Sequence, residues 1–453
     1  MAAMLEAREL NLTLDFCLRV GELLLSSGAG AADVTATMRS LAWQLDVRRP
    51  EIDVTFTSLS MSYQPDPEQP AFILIRQVKQ RDIDYEDLTL VDHLVRDVLH
   101  GTELKEARTR LARIVSSGHT TPRWAASLGW GAMCAGVGLQ LGGGAAVVAI
   151  AFLAAVSIDR LQLAMSRRRV PFFYAQVAGG AVATVIAALA AAGPLELDTS
   201  LVVTANIVML LAGIGFMGAR QDALTGFYVT AGARLTEALL STAGIIGGVS
   251  GGLSLGDAFG VRVGQLDPGY SSWDSFTMMA IGSAMCAGAF AFASYAPARV
   301  IVPIAGIAAV AVTVSQAITL QGFSRAWATG LAAFLIGLVS YTVAGRVRVP
   351  PLVVVVSAVV PMLPGISIYR GLALVGKGGT SASDGLLAMA TAASVAIAIS
   401  SGVILGEYVA QPLKREARRV ESRLAGPRLV GPLRVRTGRA ARRARRAELS
   451  VDA

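Results

Sequence analysis

The spacing of hydrophobic and charged residues divides the chain into three stretches. Residues 1–121 carry closely spaced charges of both signs, 122–408 contain long apolar runs, and 409–453 are rich in arginine. A helix needs about 20 mainly apolar residues to cross the hydrocarbon core of a bilayer. The apolar runs predict ten membrane helices, some of them short, over residues 124–141, 145–158, 172–192, 200–218, 233–253, 275–295, 299–319, 326–344, 351–372 (interrupted) and 385–408.

The first stretch predicts a small soluble α+β domain over residues 1–121. Alternating, β-branched positions at 52–63, a proline-rich turn and a second such run at 71–78 predict a β-hairpin. We find no nucleophile with a neighbouring histidine and no phosphate-binding loop in this stretch. The pattern therefore favours an assembly or gating domain over an enzyme. Helical patterns occupy the remainder, at 10–27, 32–45, 87–99 and 103–116.

Charge changes this picture only at the carboxyl end. The net charge of the chain is +8, and residues 412–453 alone, with thirteen Lys or Arg and four Asp or Glu, carry +9. A basic tail beside a membrane helix is typical of a cytoplasmic segment attracted to anionic lipid. We therefore expect lipid and not nucleic acid as the partner of a basic, disordered tail over 411–453. Three scattered cysteines and three histidines predict neither a disulfide framework nor a metal or other cofactor.

Positive residues recur in alternate connections between the predicted helices. Charges at 159–160 and 167–169 follow the second helix, and Arg346 and Arg348 follow the eighth. The intervening connections are mostly glycine-rich or acidic, with Arg262, Arg325 and Lys377 as exceptions. Lys and Arg accumulate on the cytoplasmic side of membrane proteins. This bias predicts a multi-pass protein of the bacterial inner membrane with both termini in the cytoplasm.

Two short motifs recur at a constant distance. Ala-Met-Cys-Ala-Gly occupies 132–136 and 284–288, and Gly-Ile occupies 213–214 and 365–366, each pair 152 residues apart. This predicts a duplication with five helices per half, over 122–260 and 274–410. Because five is odd, the halves must face opposite ways. The predicted fold class is thus mainly α, a polytopic membrane protein of two inverted five-helix repeats. Inverted repeats are typical of secondary transporters whose substrate site lies near the bilayer midplane.

The ninth predicted helix contains residues that interrupt a helix. Pro361 and Pro364 lack backbone donors, and Gly365 relaxes the backbone. Freed backbone groups are tolerated at membrane depth only inside protein or beside water. Tyr369 and Arg370 follow directly, so we predict a substrate site here. A simple kink with Arg370 reaching the membrane surface is an equal alternative.

The matching stretch of the first half adds further candidates for substrate binding. They combine an amide, a flexible position and paired charges: Asn206, Gly213, Arg220, Asp222, Arg234 and Glu237. Ionisable groups beside membrane helices are costly unless they are paired or face water. Arg234 and Glu237 lie three positions apart and could instead pair with each other. Both signs of charge suit an amino acid, and mainly positive groups suit a dicarboxylate, so both substrates stay open.

These segments resemble the threonine/serine exporter family. The resemblance rests on Pro-Gly-Ile-Ser-Ile-Tyr-Arg-Gly at 364–371, on 212–238, and on the segment 28–34 with Arg76 in the soluble start. It implies export of threonine and serine driven by the proton motive force. The chain departs from the family at Ala212-Gly213, where the family carries Pro-Gly, which weakens the prediction that both halves are broken equally.

Three functions remain as hypotheses. The first is a secondary transporter, not an enzyme, that exports small amino acids, with homo-oligomer formation left open. The second is the same architecture exporting dicarboxylates such as succinate. The third is a membrane scaffold with a soluble regulatory domain, which predicts functional chemistry before residue 121.

Overall fold

The computed structural model describes residues 2–78, 83–193, 198–211, 213–258, 276–365, 367–368, 371, 374 and 381–424. Residues Met1–Ala410 form one compact unit and Gln411–Ala453 a second. Of the second unit, only the backbone of the helix that ends at Leu424 is described. That helix continues past 411, the predicted start of the tail, and residues 425–453 lie outside the described residues.

The amino-terminal part combines four helices with a small sheet. The helices are α1 (Ala2–Ser26), α2 (Ala31–Gln44), α3 (Tyr85–Leu99) and α4 (Leu104–Ser117). In the described residues the strands β1 (Glu51–Val54), β2 (Ser58–Tyr63) and β3 (Phe72–Gln77) form an antiparallel sheet in the order β1-β2-β3. This part combines helices and strands, as predicted; a separate domain over 1–121 stays a prediction.

The predicted strand at 52–63 is in fact two strands. Val54 pairs with Leu59, and the backbone nitrogen of Thr55 donates to the carbonyl of Ser58 across 2.9 Å. This turn folds the run back on itself, so both strands can place apolar side chains in the core. Leu59 and Met61 are fully buried there with Leu14 and Phe16.

The remaining chain is a bundle of apolar helices. They are α5 (Arg123–Gln140), α6 (Ala145–Arg167), α7 (Phe172–Ala191), α8 (Thr199–Leu210), α9 (Gly213–Leu224), α10 (Tyr228–Ala258), α11 (Phe276–Ala293), α12 (Ala298–Leu320), α13 (Arg325–Val347), α14 (Pro351–Val359) and α15 (Ser381–Leu424). Among the described residues, seven helices are long and apolar enough to cross a membrane, namely α6, α7, α10, α11, α12, α13 and α15. Two shorter apolar helices lie at Thr199–Leu210 and Pro351–Met362. The protein is a polytopic helical membrane protein, as predicted; the count of ten stays a prediction.

Two predicted helices differ in length or continuity. The second runs from Ala145 to Arg167 and does not stop at 158, so Asp159 lies within a helix and not in a loop. It is tolerated there because Arg123 and Ser127 of α5 each contact its carboxylate at 2.6 Å. The fourth predicted helix is two helices, α8 and α9, separated by Leu211.

The helices recur along the chain at a nearly constant interval. The starts of α5, α6 and α7 precede those of α11, α12 and α13 by 153 residues, and α8 precedes α14 by 152. Helices α5 and α11 pack closely and run antiparallel, since Gly136 lies against Cys286 and Gly129 against Ala293. A Cβ on Gly136 would lie 2.6 Å from the backbone nitrogen of Cys286, so only glycine permits this approach.

Candidate functional site

The first break in the bundle separates α8 from α9. Helix α8 ends at Leu210, and Leu211 is extended, with φ −61° and ψ 113°. The nitrogen of Leu211 still donates to the carbonyl of Ile207 across 2.7 Å, so the helix is intact up to this residue. Gly213, a predicted site residue, is the first residue of α9.

The second break lies where the sequence predicted an interruption. Helix α14 tightens into a 3₁₀ turn, Val360–Met362, and Leu363 is extended, with φ −59° and ψ 140°. The nitrogen of Gly365 donates to the carbonyl of Leu363, which leaves the Pro361 carbonyl without its usual helical donor. The Gln140 side-chain nitrogen, at the end of α5, donates to this carbonyl across 2.8 Å.

Helix α8 lies directly against the second break. A Cβ on Gly365 would lie 2.5 Å from the Val208 Cγ2 atom and 3.8 Å from the Thr204 Cγ2 atom. Gly365 therefore allows the broken segment to approach α8, and it brings Thr204 to the Pro364–Gly365 step. We call Gln140, Thr204, Pro361 and Gly365 the break cluster.

Several polar atoms around the break cluster are buried without partners. The Thr204 Oγ1, Gln140 Oε1 and Asn206 Oδ1 atoms find no hydrogen-bond partner among the described residues. Thr204 and Asn206 are fully buried, and Asn206 Nδ2 donates only to the Val202 carbonyl of its own helix, across 2.9 Å. An unsatisfied buried polar atom costs about 1–3 kcal/mol. These atoms could accept from the ammonium of a small polar ligand or bond to its hydroxyl.

Two of the predicted charged candidates, Asp222 and Arg234, contact the amino-terminal part of the chain. Arg234 Nε lies 3.0 Å from Asp222 Oδ2, and the two side chains are 10% and 0% exposed. The nitrogen of Ala31 donates to Asp222 Oδ1 across 2.8 Å, and Arg234 Nη2 donates to the Ala29 carbonyl across 2.9 Å. Asp222 thus sits at the amino end of α2, where a negative charge is favoured by the helix dipole.

We call Ala29, Ala31, Asp222 and Arg234 the charged clamp. It joins the segment 28–34 to the segment 212–238, two of the segments that carry the family resemblance. Gly28 has φ +99°, a conformation that favours glycine, and it turns the chain from α1 towards the clamp. The charged clamp thus connects the amino-terminal part of the chain to the helices that follow the first break.

Other predicted site residues are less informative. Glu237 is half-buried on α10, one turn beyond Arg234, whose ion-pair partner is Asp222. Tyr369, Arg370 and the side chain of Arg220 lie outside the described residues. Sequence reasoning missed Gln140 and Thr204; Thr204 shares the apolar run of Asn206, so the same signal would have found it.

Known proteins resemble nearly the whole chain. A family model described as "Putative threonine/serine exporter" matches residues 15–256, and one described as "Threonine/Serine exporter, ThrE" matches residues 279–409. The chain belongs to the threonine/serine exporter family. This is a family of transporters and not an enzyme class.

Two curated members of the family are similar over most of their length. The "Probable threonine/serine exporter" of Mycobacterium tuberculosis is 32% identical over 425 residues, which cover 91% of this chain and 80% of that protein. The "Threonine/serine exporter" of Corynebacterium glutamicum is 30% identical over 410 residues, covering 88% and 83%. No solved structure matches the chain.

Proposed function

We propose that this protein exports threonine, serine or similarly small amino acids from the bacterial cytoplasm, as a secondary transporter driven by the proton motive force. Membership of the threonine/serine exporter family carries the substrate class. The buried polar atoms at the break cluster support a site for a small polar ligand within the bundle. Inner-membrane location, with both termini cytoplasmic and the tail on anionic lipid, belongs to the same proposal.

Alternating access by two inverted halves is the proposed mechanism. It is supported by the recurring helix starts and by the antiparallel packing of α5 on α11. In inverted-repeat transporters the substrate lies where broken helices of the two halves meet. Here the second break packs on α8 of the first half, which supports a substrate position beside Thr204 and Gly365.

The proposed site keeps the residues predicted from sequence and adds two. Gly213, Pro361, Pro364 and Gly365 open the two breaks, whereas Asn206, Thr204 and Gln140 offer polar atoms. Asp222 and Arg234 belong to the charged clamp and hold α9 and α10 against the start of α2. Arg220, Glu237, Tyr369 and Arg370 stay in the proposal from sequence alone.

Proteoliposomes test the substrate and the driving force together. Vesicles loaded with radiolabelled threonine should release it faster when a proton gradient is imposed, and a protonophore should abolish the stimulation. Release of loaded succinate but not of threonine or serine would replace the proposal with dicarboxylate export. If the rate of threonine release does not depend on the gradient, transport is not coupled to protons.

Thr204→Val tests the break cluster. The substitution keeps the shape and removes the unpartnered hydroxyl, so threonine export should fall about 10-fold while folding is kept. Thr184→Val is the matched control, because Thr184 is equally buried and its hydroxyl donates to the Gly180 carbonyl of its own helix. Equal export rates for the two variants would remove Thr204 from the site.

A further inference from the structure

An exposed basic turn joins α6 to α7. Arg167 is the last residue of α6, and Arg168 and Arg169 follow it before α7 begins at Phe172. All three arginines are exposed. Residues 160–192 contain four arginines, no lysine and no acidic residue, so this stretch carries a net charge of +4. We call Arg167, Arg168 and Arg169 the basic turn.

The described part of the protein does not neutralise the basic turn. Its guanidinium groups form no ion pair with another described residue and donate no hydrogen bond to one. Three carboxylates line a cavity together with Arg169, namely those of Asp84, Asp87 and Asp159. None of them forms an ion pair with the basic turn, and Asp159 instead contacts Arg123 at 2.6 Å. The donors of the basic turn are therefore free to bind an anion.

The helix dipole explains only part of this charge. A cation in the last turn of a helix interacts favourably with the carbonyl end of that helix, and Arg167 has this position in α6. Arg169 lies beyond the helix and has φ +56°, a left-handed conformation that is unfavourable for residues other than glycine. The arginine at this position therefore needs another explanation.

The matching turn of the second half has the same backbone without these charges. The nitrogen of Arg169 donates to the carbonyl of Ser166, and the nitrogen of Gly322, 153 residues later, donates to the carbonyl of Thr319. Gly322 has φ +90°, so glycine occupies the left-handed position there. The three positions of the basic turn are occupied in the second half by Leu320, Gln321 and Gly322. The turn itself therefore does not require arginine.

Two other turns at the same end of the bundle contact the amino-terminal part. Tyr295, between α11 and α12, stacks on His119 at 4.0 Å between ring centroids. The carbonyl oxygen of Arg348, between α13 and α14, lies 3.0 Å from His93 Nε2. Like Arg169, both residues have a positive φ, of +61° and +54°. The basic turn makes neither kind of contact with the described amino-terminal residues, so it is open to a partner outside the chain.

Exposed aromatic side chains adjoin the basic turn. Phe172, Phe173 and Tyr174, at the start of α7, are 47%, 37% and 57% exposed. Helices α6 and α7 are both long and apolar enough to cross a membrane, so the turn between them lies at a membrane surface. Aromatic rings are enriched at such surfaces, and clusters of arginine there attract anionic headgroups. Free cations beside exposed rings suit a phospholipid better than a soluble anion.

We propose that the basic turn binds the headgroup of an anionic phospholipid, with its guanidinium groups on the phosphate and Phe172, Phe173 and Tyr174 against the acyl chains. Arginine suits a phosphate because its planar fork can donate two parallel hydrogen bonds. This site is separate from the basic tail, and it does not depend on which solute the protein exports.

Native mass spectrometry of the full-length protein, with phosphatidylglycerol as the probe, measures the affinity. Replacing the basic turn by three glutamines should weaken phosphatidylglycerol binding about 10- to 100-fold and leave phosphatidylcholine binding unchanged. The matched control removes three exposed arginines of α1, α2 and α4, with the substitutions Arg8→Gln, Arg39→Gln and Arg113→Gln, and should keep the wild-type affinity. Equal losses in the two triple variants would overturn the site, because net charge alone would then explain the binding.

Arg169→Gly separates lipid binding from a structural role. Glycine favours the left-handed conformation, so the unfolding temperature in detergent without added lipid should rise by about 1 °C. Binding of phosphatidylglycerol should nevertheless weaken about 5-fold. A lower unfolding temperature together with wild-type lipid affinity would show that the arginine stabilises the turn and would contradict the inference.

A photoreactive phosphatidylglycerol in proteoliposomes locates the lipid. Peptide mapping should place cross-links within residues 160–174. Glycerol 3-phosphate, the soluble part of the headgroup, should not compete at equal concentration, because it lacks acyl chains. Cross-links confined to residues 411–453 would assign the lipid to the basic tail, and full competition by glycerol 3-phosphate would assign the turn to a soluble anion. Either result would overturn the inference and leave the proposed export untouched.

Discussion

The two breaks in the helix bundle reach the same backbone conformation from different sequences. Leu211 and Leu363, 152 residues apart, are both extended and both end a buried apolar helix. Leu363 precedes Pro364, and a residue before proline is disfavoured in the α conformation. Leu211 precedes Ala212, so no proline imposes its conformation. The first break shows that the interruption belongs to the fold and does not require the proline.

What surrounds the breaks differs more than the breaks themselves. After the first break, Asp222 of α9 and Arg234 of α10 form an ion pair, and the Ala31 nitrogen at the start of α2 donates to Asp222. The second break contacts neutral groups, namely the Gln140 side chain and Thr204. The amino-terminal part also lies close to the start of α14, because the His93 Nε2 atom of α3 lies 3.0 Å from the carbonyl oxygen of Arg348. One half is thus fixed by charge and the other by close packing.

Removing the charged clamp should have the largest effect. Asp222→Ala leaves Arg234 buried without its counter-charge, which costs about 3–5 kcal/mol. We expect a lower unfolding temperature in detergent and loss of threonine export. Asp97→Ala is the control, because Asp97 and Arg110 also lie 3.0 Å apart but are 54% and 43% exposed, where a pair contributes about 0–1 kcal/mol.

A double substitution sharpens this result. Asp222→Ala/Arg234→Leu removes both charges and should destabilise the protein less than Asp222→Ala alone. If the double variant instead loses as much stability as Asp222→Ala, the unpaired charge of Arg234 is not the cause of the destabilisation.

Filling the close approach at the second break should have an intermediate effect. Gly365→Ala would push against Val208 of α8, at a cost of about 1–3 kcal/mol. The rate of threonine export should fall by more than the loss of stability explains, because the contact lies at the proposed substrate position. Gly306→Ala on α12 is the control, since a Cβ there meets nothing within 4 Å. Wild-type export by Gly365→Ala would show that the approach is not required.

Exchanging the prolines tests whether the breaks are equivalent. Ala212→Pro should be tolerated within about 1 kcal/mol, because Leu211 already has the conformation that a following proline favours. Pro364→Ala should keep export, since the first break persists without proline. Ala205→Pro, within α8, is the contrasting control and should cost about 3 kcal/mol or more. Thermal unfolding measures the stability of each variant. Similar losses of stability for Ala212→Pro and Ala205→Pro would contradict the equivalence of the two breaks.

The smallest effect concerns α3, the helix whose His93 lies beside the Arg348 carbonyl. Burial and the neighbouring Asp84 raise the pKa of Asp87 from 3.8 to about 6. The folded protein therefore binds this proton more tightly than the unfolded chain, and stability falls as the pH rises from about 4 to 6. Asp87→Asn should remove this loss, raising the unfolding temperature at pH 7 by about 1 °C and leaving it unchanged near pH 4. An equal difference at both pH values would contradict this assignment.

Sequence periodicity predicted most elements because burial in this protein follows local composition. Helices α2, α5 and α7 begin within one residue of their predicted starts, since apolar runs and glycine or proline boundaries are encoded locally. The turn at Thr55 was missed because the alternation of apolar positions continues through it. Asp159 was assigned to a loop because its partner, Arg123, is 36 positions away in sequence.

The sequence by itself determined the class of the protein and the position of its second interruption. Long apolar runs can be stable only in lipid or protein, and Pro361, Pro364 and Gly365 limit the backbone wherever they occur. Only the tertiary structure decided the partners: Asp222 with Arg234 and α2, Gln140 with Pro361, and Arg123 with Asp159 beside a cavity. Backbone preferences are local, whereas ion pairs and cavities depend on residues that only folding brings together.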